Sequence, residues 1–104
     1  MSDPIVVTAV FWPAEGQRHA LVEALHRGIP AVHDEVGCEL YAIHDAPDGS
    51  IVMIEKWTTE ADLDAHSTAA PVVAIRESLV GLTAAPTVVT RLVPLPVGGA
   101  PGAL

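Results

Sequence analysis

Aromatic rings and positive charges are both scarce in this chain. Among its 104 residues there are two Trp, one Tyr and one Phe, while half of the chain is hydrophobic, so the core must be built mainly from aliphatic side chains. Lys and Arg together number 5 against 13 Asp and Glu, a formal net charge of −8. A surface this acidic repels phosphate backbones, which argues against nucleic acid and against anionic membranes as partners. Cys38 is the sole cysteine, so no disulfide can close within the chain, as befits a reducing compartment such as the cytoplasm. No apolar run approaches the ~18 residues that a membrane span needs. The opening MSDPIVV has neither the basic region nor the long apolar stretch of a signal peptide. Dinucleotide and phosphate-loop fingerprints are absent; the Gly98-Gly99 pair falls in the tail.

What is present is a legible alternation of elements. Ile5 to Trp12 is a β-branched and aromatic run of strand length, stopped by Pro13. From about Glu15 to Asp34 a helical period places Leu21, Ala24, Leu25, Gly28 and Val32 on one side, with Gly28 and Pro30 expected to loosen its last turns and Gly37 to stop it. Cys38 to Asp45 and Ser50 to Thr58 read as a hairpin around the turn Ala46-Pro47-Asp48-Gly49. Thr58 or Thr59 then caps a short helix reaching about Ser67, with Glu60 and Asp62 in its first turn. A further helix starts near Pro71 and reaches about Leu82, and Pro86 to Pro94 forms a last strand. The order strand, helix, strand, strand, helices, strand is the split βαβ, ferredoxin-like arrangement: an α+β fold with an antiparallel sheet and helices on one face. Residues 1–94 form one domain, and 95–104, rich in Pro, Gly and Ala, form a flexible tail.

The strands carry a second message. In the first, Ile5, Val7, Ala9 and Phe11 alternate with Val6, Thr8, Val10 and Trp12, and both sets are apolar. In the third, Ile51 and Met53 share one face while Val52 and Ile54 share the other. Helices can cover only one face of a four-stranded sheet, and a solvated second face should read polar. A second copy of the same sheet is the simplest cover, which predicts a symmetric homodimer.

Candidate chemistry concentrates in Ile54-Glu55-Lys56-Trp57-Thr58-Thr59-Glu60-Ala61-Asp62-Leu63-Asp64-Ala65-His66. Asp62 precedes His66 by four residues, so one helical turn lets its carboxylate orient the imidazole as a general base. The competing reading is a histidine favoured by the helix C-terminus. Glu55 shares a face with Ile51, Met53 and Trp57, and is either ion-paired at a strand end or a pocket acid shifted by burial. Trp57 is core or pocket wall, and Tyr41 is a satisfied buried phenol or a donor to substrate. Arg76 is an exposed cation or an anion clamp. His19, His26 and His33 recur every seven residues, about 10.5 Å along a helix, too far apart to share one metal ion, so they read as a solvated face. Cys38 reads as a small buried hydrophobe.

Gly37-Cys38-Glu39-Leu40-Tyr41, Glu55-Lys56-Trp57 and Ala61-Asp62-Leu63-Asp64-Ala65-His66, in that order and spacing, resemble the antibiotic biosynthesis monooxygenase (ABM) domain across roughly Ile5 to Val93. The resemblance implies pairing into a dimeric α+β barrel. It also implies cofactor-independent oxidation by O₂ of an electron-rich aromatic: a quinol, phenol or anthrone-type polyketide. Under it, His66 acts as base or oxyanion partner, Trp57 and Tyr41 line or orient the ring, and Arg76 stabilises developing negative charge. Haem-degrading relatives share the fold. Their first-strand Asn, short-helix Trp and haem-ligating His match Thr8, His66 and Arg76 here, so the iron ligand is missing and haem degradation is disfavoured. A non-catalytic module of the same fold, holding a small apolar ligand or serving only as a dimeric partner, is the alternative.

Overall fold

The computed structural model describes residues 3–104; Met1 and Ser2, which open the segment read for a leader, lie outside the described residues. The elements run β1 (Ile5–Phe11), α1 (Arg18–His33), β2 (Cys38–Asp45), β3 (Ile51–Trp57), α2 (Glu60–Ser67), α3 (Ala70–Ser78) and β4 (Val88–Leu92), with a short 3-10 turn at Ala100–Gly102. The strands form one antiparallel sheet in the order β2-β3-β1-β4. This is the ferredoxin-like α+β fold that the element order predicts. Among the described residues, no helix is long and apolar enough to cross a membrane.

Registers decide which side chains meet. Val7 stands opposite Glu55 on one side and Arg91 on the other, Ala9 opposite Met53 and Val89, and Tyr41 opposite Glu55. Because side chains alternate along a strand, these residues share the inner face with Ile5, Phe11, Ile51 and Trp57. The helices pack there. Leu21, Ala24, Leu25, Ile29 and Val32 of α1 are buried against it, joined by Leu63 of α2 and Val72 and Ile75 of α3. Each such fully buried aliphatic side chain contributes about 1.5–3 kcal/mol. The buried stripe of α1 runs through Ile29 rather than the expected Gly28. Gly28 serves differently: a Cβ built on it would lie 2.4 Å from Ile75 Cγ1, so the absent side chain is what lets α3 close onto α1.

The outer face presents Leu40 and Ala42 of β2, Val52, Ile54 and Lys56 of β3, Val6, Thr8 and Val10 of β1, and Val88, Thr90 and Leu92 of β4. Most are only half-buried, and the edge strand β4 is exposed along its whole length, with Val88 at 55 % and Val89 at 62 %. The tail folds into a turn in which the Val97 amide donates to the Gly102 carbonyl, and the Leu104 carbonyl accepts from Lys56 Nζ on the outer face.

Helix boundaries follow local chemistry. α2 is capped by Thr59, whose Oγ1 accepts from the Asp62 amide at 3.1 Å. Pro71 sits in the first turn of α3, where its missing N–H costs nothing. α3 ends at Ser78, short of the expected Leu82, because Leu79 to Leu82 turn back through short-range bonds. His19, His26 and His33 are exposed, and the His33 ring nitrogen donates to the Tyr41 carbonyl at 3.0 Å, pinning the end of α1 to β2.

Candidate active site

Between α2, α3 and the inner face of the sheet lies a cavity of about 360 Å³. Its walls are largely aliphatic: Val7 and Ala9 from β1, Met53 from β3, and Val72, Ile75 and Leu79 from α3 and its end. Polar groups enter from two places. Tyr41, Glu55 and His66 converge at one wall, and Arg76 and Arg91 line another part of it. A largely apolar cavity with a few convergent polar groups is the ordinary architecture of a small-molecule site.

His66 is 4 % exposed. Its Nδ1 lies 3.0 Å from Glu35 Oε2. An ionised carboxylate only accepts, so Nδ1 carries the hydrogen and donates it; the neutral ring then keeps its lone pair on Nε2. Nε2 has no hydrogen-bond partner among the described residues, and no buried side-chain nitrogen or oxygen there is left unpartnered, so Nε2 opens onto the cavity. The imidazole packs over the Trp57 indole with ring centroids 4.6 Å apart, and Tyr41 meets it edge-on at 5.4 Å.

The orienting carboxylate differs from the one expected. Asp62 is one helical turn from His66, but its side chain points at the turn that precedes β2. A Cβ on Gly37 would fall 2.2 Å from Asp62 Oδ2. Gly37, with φ +81°, occupies a left-handed conformation that also favours glycine. The same turn carries Glu35, and it is anchored by the Thr58 amide donating to the Gly37 carbonyl at 2.9 Å. Asp62 thus packs on the turn that presents Glu35, and Glu35 takes the position at His66 that the four-residue spacing assigned to Asp62. A separation of 31 positions between Glu35 and His66 left no local signal for this pair.

Glu55 is 5 % exposed, and its Oε1 accepts the Trp57 Nε1 hydrogen at 3.0 Å. Burial pushes its carboxyl above the ordinary range, against smaller opposing effects of the Trp57 hydrogen bond and the His66 charge. The structure therefore selects the pocket-acid reading over a strand-end ion pair. Trp57, at 0 % exposure, is the rigid piece behind both groups: its ring faces His66 and its N–H holds Glu55. Tyr41 is driven far above the usual phenol range, first by burial and then by the Glu55 and Glu35 charges, so it stays protonated. Its hydroxyl has no partner among the described residues and is available to donate into the cavity.

Arg76 lines the cavity while its Nη1 donates to the Ser67 carbonyl at 3.0 Å, closing the end of α2 onto α3. Arg91 was not singled out from the sequence. It enters from β4, held 2.9 Å from Asp64 Oδ1 and 3.6 Å from Glu60 Oε2. Two of the five cationic side chains of an acidic chain thus border one cavity. Cys38 is half-buried, and burial together with Glu35 and Glu55 pushes its thiol up, away from nucleophilic use. Among the described residues no group of three His, Cys, Asp or Glu side chains is placed to hold a metal ion.

Several known proteins share this fold. The Mycobacterium tuberculosis protein Rv0793, named as a candidate monooxygenase, is 31 % identical over 96 residues, which span 91 % of this chain and 95 % of that protein. Its solved structure superposes with a TM-score of 0.85 at 30 % identity, covering 93 % of this chain and 100 % of Rv0793. PA3566 from Pseudomonas aeruginosa superposes with a TM-score of 0.80 at 25 % identity, over 91 % of this chain and 97 % of that one. A structure from Nitrosomonas europaea described as a candidate antibiotic biosynthesis monooxygenase shares the fold, with a TM-score of 0.83 at 20 % identity over 91 % and 93 % of the two chains. The family model for antibiotic biosynthesis monooxygenase matches residues 4–78, which takes in β1 through α3 and, of the charged and aromatic polar side chains lining the cavity, Tyr41, Glu55, His66 and Arg76 but not Arg91. By that match, and by its likeness to Rv0793 along nearly its whole length, the chain belongs to the antibiotic biosynthesis monooxygenase family.

Proposed function

We propose that the chain is a cytoplasmic homodimeric monooxygenase that oxidises an electron-rich aromatic, a quinol, phenol or anthrone, with O₂ and without a bound cofactor. The observation that carries this reading is His66: an imidazole buried at the wall of a largely apolar cavity, its Nδ1 tied to Glu35 and its Nε2 free toward the cavity. Such an arrangement suits proton abstraction from a phenol or activated CH. The substrate can supply every electron. Anthrone and O₂ give anthraquinone and water: one oxygen atom enters the ring as a carbonyl, and the other leaves as water with the two hydrogens of the CH₂ group.

His66 takes the substrate proton, and the resulting anion is electron-rich enough to reduce O₂ directly. Aliphatic walls keep water from the anion and from the peroxide that follows. Tyr41, held protonated, donates a hydrogen bond to the developing oxyanion. Trp57 keeps the imidazole in register, and Arg76 adds positive charge at the cavity wall. The homodimer reading rests on the apolar outer face, where a second copy would cover Val52, Ile54 and Leu40.

The test is oxygen uptake by metal-free protein supplied with reduced menadione or anthrone. Wild-type protein should consume O₂ with saturation, and His66→Ala should lose roughly 10²–10⁴-fold in kcat. Saturable binding with no oxygen uptake would replace the oxygenase by a binding module. Full activity in His66→Ala would remove His66 from the mechanism.

A further inference from the structure

The base proposed above leaves the second half of the reaction without a proton source. After O₂ adds, the ring carbon bears a hydroperoxide. Its collapse removes the C–H proton, forms the C=O and breaks the O–O bond, and the departing hydroxide must be protonated. His66 has by then returned its first proton to the peroxide oxygen and must act again as a base. It cannot donate in the same step.

Glu55 is placed for that task. It lines the same cavity as His66 and is 5 % exposed. One oxygen, Oε1, is committed to the Trp57 N–H at 3.0 Å. Oε2 has no hydrogen-bond partner among the described residues and is not sealed off, so it opens onto the cavity. The single rigid indole of Trp57 faces the imidazole and holds the carboxyl, fixing acid and base relative to each other. Among the described residues no Lys or Arg is hydrogen-bonded to Glu55, which is the usual way a buried carboxylate is kept charged. The groups around it are Tyr41 from β2, His66 from α2, Glu35 from the turn after α1, and, along the same cavity, Arg76 from α3 and Arg91 from β4. Arg91 is drawn to Asp64 and Glu60, and Arg76 to the Ser67 carbonyl. Two titratable groups in one cavity, one with a free lone pair and one burdened by desolvation, are the pattern by which a site divides base from acid.

We propose that Glu55 is the general acid of the site, standing in the cavity as a neutral carboxylic acid and delivering its proton to the oxygen that leaves as water. The cycle closes when the His66 imidazolium, formed by taking the C–H proton, returns that proton to the Glu55 carboxylate. No outside oxidant or reductant enters beyond O₂ and the substrate. The role rests on the oxygenase reading, but the neutral state of Glu55 can be observed without turnover.

The experiment pairs infrared spectroscopy with single-turnover kinetics on anthrone, comparing wild type, Glu55→Gln and Glu55→Asp. Gln keeps an acceptor for the Trp57 N–H and holds no dissociable proton. At ~pH 6, above the ordinary carboxylate range, wild type should show a carboxylic-acid carbonyl stretch that is missing from Glu55→Gln. In turnover, Glu55→Gln should take up O₂ yet convert the hydroperoxide at least about a hundredfold more slowly, releasing H₂O₂ or accumulating the adduct. Glu55→Asp should recover part of the rate, and the loss of rate at alkaline pH in wild type should be absent from Glu55→Gln. A missing carboxylic-acid band overturns the proposal whatever the kinetics. So does a present band with wild-type collapse in Glu55→Gln. A present band in a protein that oxidises neither anthrone nor reduced menadione overturns the oxygenase reading and, with it, this role for the acid.

Discussion

Along β3, Ile51, Met53, Glu55 and Trp57 turn inward and Val52, Ile54 and Lys56 turn outward, and the two sets invert the usual rule for a half-solvated sheet. The inner set is the better buried, yet it holds an acid. The outer set is mostly aliphatic, yet it is left half-open by the tail and by an edge strand exposed on both faces. A carboxyl is tolerated inside because Trp57 satisfies one oxygen and burial shifts the group toward its neutral form; the aliphatic side chains outside are the feature on which the proposed pairing rests. The inner face gives up stability to hold a buried acid, whereas the outer face leaves aliphatic surface open.

The comparison breaks most visibly at Trp57. Trp57→Ala should cost about 3–5 kcal/mol in urea unfolding, from the cavity it leaves and the hydrogen bond lost to Glu55. A loss similar to that of an exposed residue would mean that the indole is not the keystone of the inner face. On the other side, Ile54→Glu should weaken dimerisation by roughly a hundredfold or more, because a carboxylate would be desolvated at the centre of the contact. Light scattering at micromolar concentration should show a dimer for wild type and a monomer for the variant. A monomeric wild type would leave the outer face without its proposed partner.

The third contrast lies within the covered side. Glu35→Ala should lower kcat about tenfold by freeing His66 Nδ1, with little effect on KM, while Asp62→Ala should act chiefly on stability. Equal kinetic losses would blur the division between the two acids. The smallest effect is the pH dependence of stability. Glu55 titrates higher when folded than when unfolded, so its contribution is complete below the unfolded value, 4.5, and fades as pH rises through the folded one. Glu55→Gln should therefore lose less stability than wild type over that interval, as read from urea midpoints on either side of it.

Alternation of side chains and turn chemistry made the strands legible: β2 falls on the expected Cys38–Asp45, and β3 is one residue shorter at each end. The fold follows from their order. His66, Trp57 and Tyr41 could be read as a group because two lie on a strand face and the third on the helix that follows it. The partner of His66 could not. Helical spacing indicates which residues are near in sequence, and Asp62 was near; it says nothing of a turn 31 residues away that the end of β3 draws alongside α2. Arg91 escaped for a related reason. Its place at the cavity depends on β4 pairing with β1, a register that no local pattern encodes.

Gly28 has a consequence for the cavity even though it does not line it. Ile75 rests where a side chain at position 28 would be, and Ile75, with Val72, Arg76 and Leu79, forms the wall of the cavity. The gap between α1 and α3 is closed to its minimum by an absent methyl group. Position 28 thus works as a shim: a carbon added there would push on Ile75 and displace α3, so the shape of the chamber is set in part by a residue that does not line it.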